Sequence, residues 1–190
     1  MSTFSVGQMN QLGDALQGAG FTPDDVTRLR ASGLLPDFKR VLLGHAEVRM
    51  RQHVIDLDGD PFVPSGLRVH EHTKGGQFEW DLAKVVLYFS KEQQGVSVIQ
   101  GNELREELNG ESPYNANLLD YLLAHQELIP EGWKDNDNAV FFWGTIYCDS
   151  SSDGDLCVRC LDRVDGRWTW AHHWFDSDWA DNHPAAVRAG

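Results

Sequence analysis

Three stretches of the chain carry residue types that can do chemistry. In "LRVHEHT", His70 and His72 are two positions apart. On a strand such residues share a face, which is how two imidazoles chelate one metal ion. Glu79, beyond the Lys74-Gly75-Gly76 turn, is the candidate third ligand. "CVRC", Cys157 to Cys160, has the spacing of zinc knuckles and redox pairs. That spacing aims both sulfurs at one metal only on a knuckle or a helix N-terminus. On a strand, residues i and i+3 point to opposite faces. The flanking β-branched and aromatic residues predict a strand, and therefore two separate buried thiols. The alternative is a zinc site built from Cys148, one of that pair, and His172 or His173.

The third stretch, "WTWAHHWFDSDW", packs four tryptophans and two histidines into Trp168–Trp179. Asp165-Gly166 just before it is a strong signal for a two-residue hairpin turn. Such a turn pairs Val164 with Arg167. It then sets Arg163 opposite Trp168, Leu161 opposite Trp170, Arg159 opposite His172 and Cys157 opposite Trp174. Side chains alternate along a strand, so Arg159, Arg163, Trp168, Trp170 and His172 share one aromatic and cationic face. A face of that kind can stack flat ligands, sugars or bases, and arginine can lie over indole. The preferred expectation is burial of most of the indoles against a helix, with Trp170 the most buried, Trp168 the most exposed and a binding surface only at the Trp168 end.

Several enzyme signatures are missing. The chain has no G-x-S-x-G elbow, no phosphate-binding G-x-x-x-x-G-K-[ST] loop, no H-E-x-x-H and no G-x-G-x-x-G. "DLDGD" opens like a calcium loop, but its twelfth position is Leu67 rather than an acid, which excludes an EF-hand. No cofactor is expected.

The elements that must position these residues follow from periodicity and punctuation. Val6, Met9, Leu12 and Leu16 recur at helical spacing, and Gly20 stops that helix. Thr22 caps a second helix, with Pro23 at its first position and Gly33 at its end. "LLPDFKRVLLG" predicts a third. Residues 1–51 thus form a three-helix segment, helix-turn-helix-like in outline. Residues 52–190 predict an α+β domain. Short strands cover "HVIDLD" and "LRVHEHT", with one or two more in "GQFEWDLAKVVLYFS". A short helix covers "GNELREELNG", and a Leu-rich helix spans 116–126. The last third is a C-terminal antiparallel β-meander of "AVFFWGTIYC", "LCVRCLDRV" and "RWTWAHHWF", packed on that helix.

The phrases "FVPSGLRVHEHTKGGQFEWD", "NANLLDYLLAHQELIPEGWK", "FFWGTIY" and "NHPAAV" resemble those of a family of small uncharacterised bacterial proteins. The resemblance covers most of the chain. It implies a shared fold and no catalytic residue.

Charge bounds the function. The 190 residues carry a net charge of -13. Residues 1–51 have six basic side chains against five acidic ones, so they carry +1 and the remainder -14. Phosphate backbones and anionic membranes repel such a surface. The apolar runs are too short to span a bilayer, no signal peptide is evident, and three cysteines cannot all pair. The expectation is a soluble cytoplasmic protein with free thiols. The leading functional expectation is a non-catalytic interaction module for a protein partner, and the acidic charge favours a basic one. One alternative is a nucleic-acid-associated regulator reading through Arg28, Arg30, Lys39 and Arg40. The other is a metal-dependent enzyme around His70, His72 and Glu79.

Overall fold

A computed structural model describes residues 4–48, 52–95, 97–137, 139–151 and 154–190, and the described residues form ten strands and five α-helices, an α+β architecture. Two compact units divide it, Met1–Arg51 and Gln52–Gly190.

The first unit holds α1 (Val6–Gly18), α2 (Pro23–Ala31) and α3 (Leu35–Leu42). Local chemistry sets the boundaries of the first two. Ser5 and Gln8 form a reciprocal capping box at α1, and Thr22 and Asp25 form another at α2. Gly20, Gly33 and Gly44 follow the three helices at φ of 83°, 73° and 71°, the left-handed conformation that glycine adopts without penalty. Met9, Leu12, Leu16, Phe21 and Val26 line a groove between α1 and α2.

The second unit is built around β6 (Val140–Asp149), β7 (Leu156–Val164) and β8 (Arg167–Trp174), three consecutive antiparallel strands. The turn between β7 and β8 has Asp165 at φ 51° and Gly166 at φ 77°. Two positive angles give the twist of a type I′ hairpin, and the register runs from Val164 opposite Arg167 to Cys157 opposite Trp174. On its other edge β6 pairs with two partners in succession. β10 (Ala185–Arg188) lies parallel to it at Phe141, and β2 (Leu67–His72) lies antiparallel along Thr145–Asp149. β4 (Val85–Tyr88) completes the sheet beyond β10. Two short pairs stand apart: β1 (Val54–Asp56) with β3 (Gln77–Glu79), and β5 (Ile99–Gln100) with β9 (Asp178–Trp179).

Both faces of the sheet are covered. α5 (Ala116–Ala124) lies against β6, β7 and β8 and buries Leu118, Leu119 and Leu122 with Phe142, Leu161, Trp168 and Ile129. It ends two residues short of its expected limit, giving way to a 3₁₀ turn at Gln126–Leu128. α4 (Gly101–Leu108) and the C-terminal segment cover the other face, joining Leu104, Leu108, Phe175 and Trp179 to Phe141, Trp143, Ile146, Val158 and Cys160. Every residue of β6 from Val140 to Cys148 is therefore buried, which is why that strand reads as an apolar run interrupted only by Gly144 and Thr145. Gly144 sits at its centre. A β-carbon there would stand 2.8 Å from the Pro113 carbonyl oxygen and 2.9 Å from the Asn115 nitrogen, so the chain ahead of α5 can approach only because residue 144 has no side chain.

Candidate functional site

The aromatic and cationic face of the β7–β8 hairpin is the face that α5 covers, and coverage divides it in two. Near the turn, Trp168 is 8% exposed and packs with Leu122, Ile129 and Trp133. Gln126 Nε2 donates a hydrogen bond to its carbonyl at 3.4 Å. Further along, Trp170 is 36% exposed. The expected order of burial is thus reversed. The helix and the 3₁₀ turns that follow it extend over the hairpin tip, whereas Trp170 in the middle of β8 meets the Phe62 ring and the Arg159 guanidinium. Arg163 and His172, the remaining residues of this face, are exposed.

Arg159 binds the exposed half together. Its side chain is 1% exposed, yet it carries a charge. Nη1 and Nη2 donate to Oδ2 and Oδ1 of Asp120 on α5, at 3.1 and 2.7 Å. Burial opposes the Arg159 charge, but the hydrogen bonds and charge of Asp120 outweigh it and hold the guanidinium above its ordinary pKa. The guanidinium carbon lies 4.9 Å from the Trp170 ring centre, 5.1 Å from that of Phe62 and 6.0 Å from that of Tyr147. Phe62 and Trp170 meet edge to face at 6.3 Å. Phe62, 54% exposed, is located by its own carbonyl, which accepts a 2.9 Å hydrogen bond from the Tyr147 hydroxyl. Arg159 Nε has no protein partner. The result is a shelf of two exposed rings pinned from below by an immobilised cation.

Of the residues singled out in the sequence, Arg159 and Trp170 come together here. Phe62 and Asp120 complete the arrangement and escaped sequence reading. Asp120 had a signal, as the one acid within the apolar run "NLLDYLLA". Phe62, in a loop between two prolines, had none.

The His70, His72 and Glu79 set is not gathered. The β2–β6 register shifts between Val69 and Glu71, so His70 is the bulged residue and exposed. His72 turns inward, its Nδ1 2.8 Å from Thr145 Oγ1. Glu79 is exposed on β3, in a different sheet. Among the described residues no group of three or more His, Cys, Asp or Glu side chains could hold a metal ion. The acids of "DLDGD" serve turns instead: Asp56 accepts from Asp58 N–H at 3.0 Å, and Asp58 from Gly76 N–H at 2.8 Å. Cys148, Cys157 and Cys160 are free and buried. Cys157 packs with Ala116 and Tyr147, while Cys160 packs in the core on the other side of the sheet. Burial pushes both of these thiols up to about 12. In the first unit Arg28, Arg30, Lys39 and Arg40 are exposed, and Arg40 lies 3.7 Å from Asp37.

No family model matches the chain, and neither a curated protein nor a solved structure does. No helix among the described residues is long and apolar enough to cross a membrane.

Proposed function

We propose that residues 52–190 act as a non-catalytic recognition module for a basic segment of a partner protein, received on the Phe62–Trp170 shelf. The observation that carries this reading is the pinning of two exposed aromatic rings by a buried, bidentate ion pair. A buried ion pair contributes little to stability compared with apolar packing of the same volume. What it supplies is geometry: the Asp120–Arg159 pair fixes where the rings stand. Rigid, partly exposed aromatics lose little entropy on binding and make good anchors.

The basic character of the partner follows from charge. A net charge of -13 attracts cationic segments over long distances and speeds encounter. At the shelf, an incoming lysine or arginine can stack on an open ring face, close to the partly exposed Asp120 carboxylate. The non-catalytic character is supported by the titratable groups. The Cys157 and Cys160 thiols are protonated and inert at neutral pH.

Site-specific photo-cross-linking tests the proposal. A benzophenone side chain replaces Trp170 in one protein and Thr169, exposed on the opposite face of β8, in another. The expected result is capture of a protein from a native lysate at position 170 and not at 169, with the yield falling as salt rises. The captured protein, once purified, should bind the natural chain and lose affinity for Trp170→Ala. Equal capture at the two positions, or capture of nucleic acid alone, would overturn the reading.

A further inference from the structure

Elsewhere in the second unit, a recess of about 340 Å³ is lined by Leu57, Thr73, Lys74, Gly75, Ser112, Pro113, Asn115 and Arg188. It shares no residue with the Phe62–Trp170 arrangement. The chain has 29 acidic side chains, and none of them lines this recess. Two cations do. Neither Lys74 nor Arg188 forms an ion pair among the described residues. By contrast, Arg105, in a neighbouring recess beyond Thr73, Ser112 and Pro113, is neutralised by Glu71.

Arg188 is held in place without being neutralised. Its guanidinium carbon lies 5.2 Å from the Tyr114 ring centre and 5.9 Å from that of Phe78. Nη2 donates to the Gly75 carbonyl at 2.8 Å. A guanidinium has five N–H donors, so this single bond leaves most of them unused. Gly75 leaves room for the clamp: a β-carbon there would stand 2.9 Å from Arg188 Nη2 and 2.9 Å from Leu57 Cδ1, so the guanidinium would have to shift. The Arg188 backbone N–H donates to the Ser112 carbonyl at 3.2 Å, and Ser112 holds φ at 50°, a conformation few residues other than glycine adopt. Asn115 caps α5, so the positive end of that helix dipole borders the recess. Asn115 Nδ2 also donates to the Leu57 and Thr73 carbonyls, at 2.7 and 2.9 Å, and ties two of the lining segments together.

We infer that this recess is a binding site for a small phosphate monoester, with Arg188 and Lys74 as its charge-bearing contacts. An oriented guanidinium complements two oxygens of the anion, and an ammonium complements a third as a point charge. The Ser112 and Thr73 hydroxyls offer further donors to a tetrahedral oxyanion, more than a planar carboxylate can use. The volume suits a small metabolite.

Amide-detected NMR titration of the full chain decides the matter. Inorganic phosphate, glycerol phosphate and succinate are the three probes. The expected result is saturable shifts at Gly75, Gly76 and Ser112 with both phosphates and none with succinate. Tighter binding of glycerol phosphate supports the monoester; equal affinity for the two phosphates would overturn it in favour of free phosphate. Lys74→Gln and Arg188→Gln should each weaken binding by at least about tenfold, the cost of a charge-assisted hydrogen bond. Because Arg188 also stacks on the core, Lys74→Gln is the decisive variant, with its amide spectrum otherwise unchanged. Shifts that do not saturate, unaltered affinity in Lys74→Gln, or preference for succinate would overturn the assignment.

Discussion

Arg159 and Asp120, 39 residues apart in sequence, meet through two parallel hydrogen bonds of 3.1 and 2.7 Å between the sheet and the helix that covers it. The pair is unequal, with side chains 1% and 31% exposed. Removing the acid strands a buried cation, whereas removing the arginine leaves an acid that water can reach. Asp120→Ala should therefore cost about 3 kcal/mol in urea unfolding, and Arg159→Met roughly half of that or less. Equal losses would contradict this asymmetry.

The two tryptophans at the near and far ends of the same face should differ in the opposite sense to the expectation from sequence. Trp168→Ala removes a buried indole and should cost about 3–5 kcal/mol. Trp170→Ala removes a ring already open to water, and should cost about 1–2 kcal/mol, including its contact with Arg159. Thermal unfolding of the two variants measures the difference; a larger loss at Trp170 would count against the burial pattern.

His183 should make the fold sensitive to mild acid. Burial, and then the neighbouring His173, push its pKa down from 6.5 to about 4, against the pull of Asp181 and Asp162. Its Nδ1 accepts from Ala180 N–H at 3.3 Å, and its ring lies 4.8 Å from that of His173. Between those pH values the unfolded chain takes up the proton and the folded chain does not. Stability is therefore full above about pH 6.5, falls as pH drops towards 4, and levels off below for this group. The loss is about 2–3 kcal/mol after allowance for partial solvent screening. Unfolding midpoints of the natural chain and of His183→Gln across that window should converge as pH falls. Parallel curves would refute the assignment.

Cysteine reactivity should be conditional on unfolding. With their thiols held near 12 and buried, Cys157 and Cys160 should resist a disulfide reagent at neutral pH in the folded protein. In denaturant all three cysteines should react. Rapid labelling of either residue in the folded chain, followed by peptide mapping, would contradict their placement.

Some of this architecture is local, and the sequence by itself determined it. The Asp165-Gly166 turn and strict alternation dictate which β7 residue faces which β8 residue, because a two-residue turn leaves one register. The Ser5 and Thr22 caps and the glycines at 20, 33 and 44 mark helix ends through chemistry confined to a few neighbours. The opposed directions of Cys157 and Cys160 follow from alternation alone. Tertiary structure decided the rest. β10 at "AAVR" has no alternation to read, since as an inner strand it is covered on both faces. The β-bulge that separates His70 from His72 arises from pairing with β6, a partner more than 70 residues away. Which of Trp168 and Trp170 is buried depends on where the segment beyond α5 comes to rest. The shelf joins Phe62, Asp120, Arg159 and Trp170, and the recess joins Lys74, Ser112 and Arg188. Both unite side chains from separate elements, and only long-range packing, not any local pattern, brings such groups within reach.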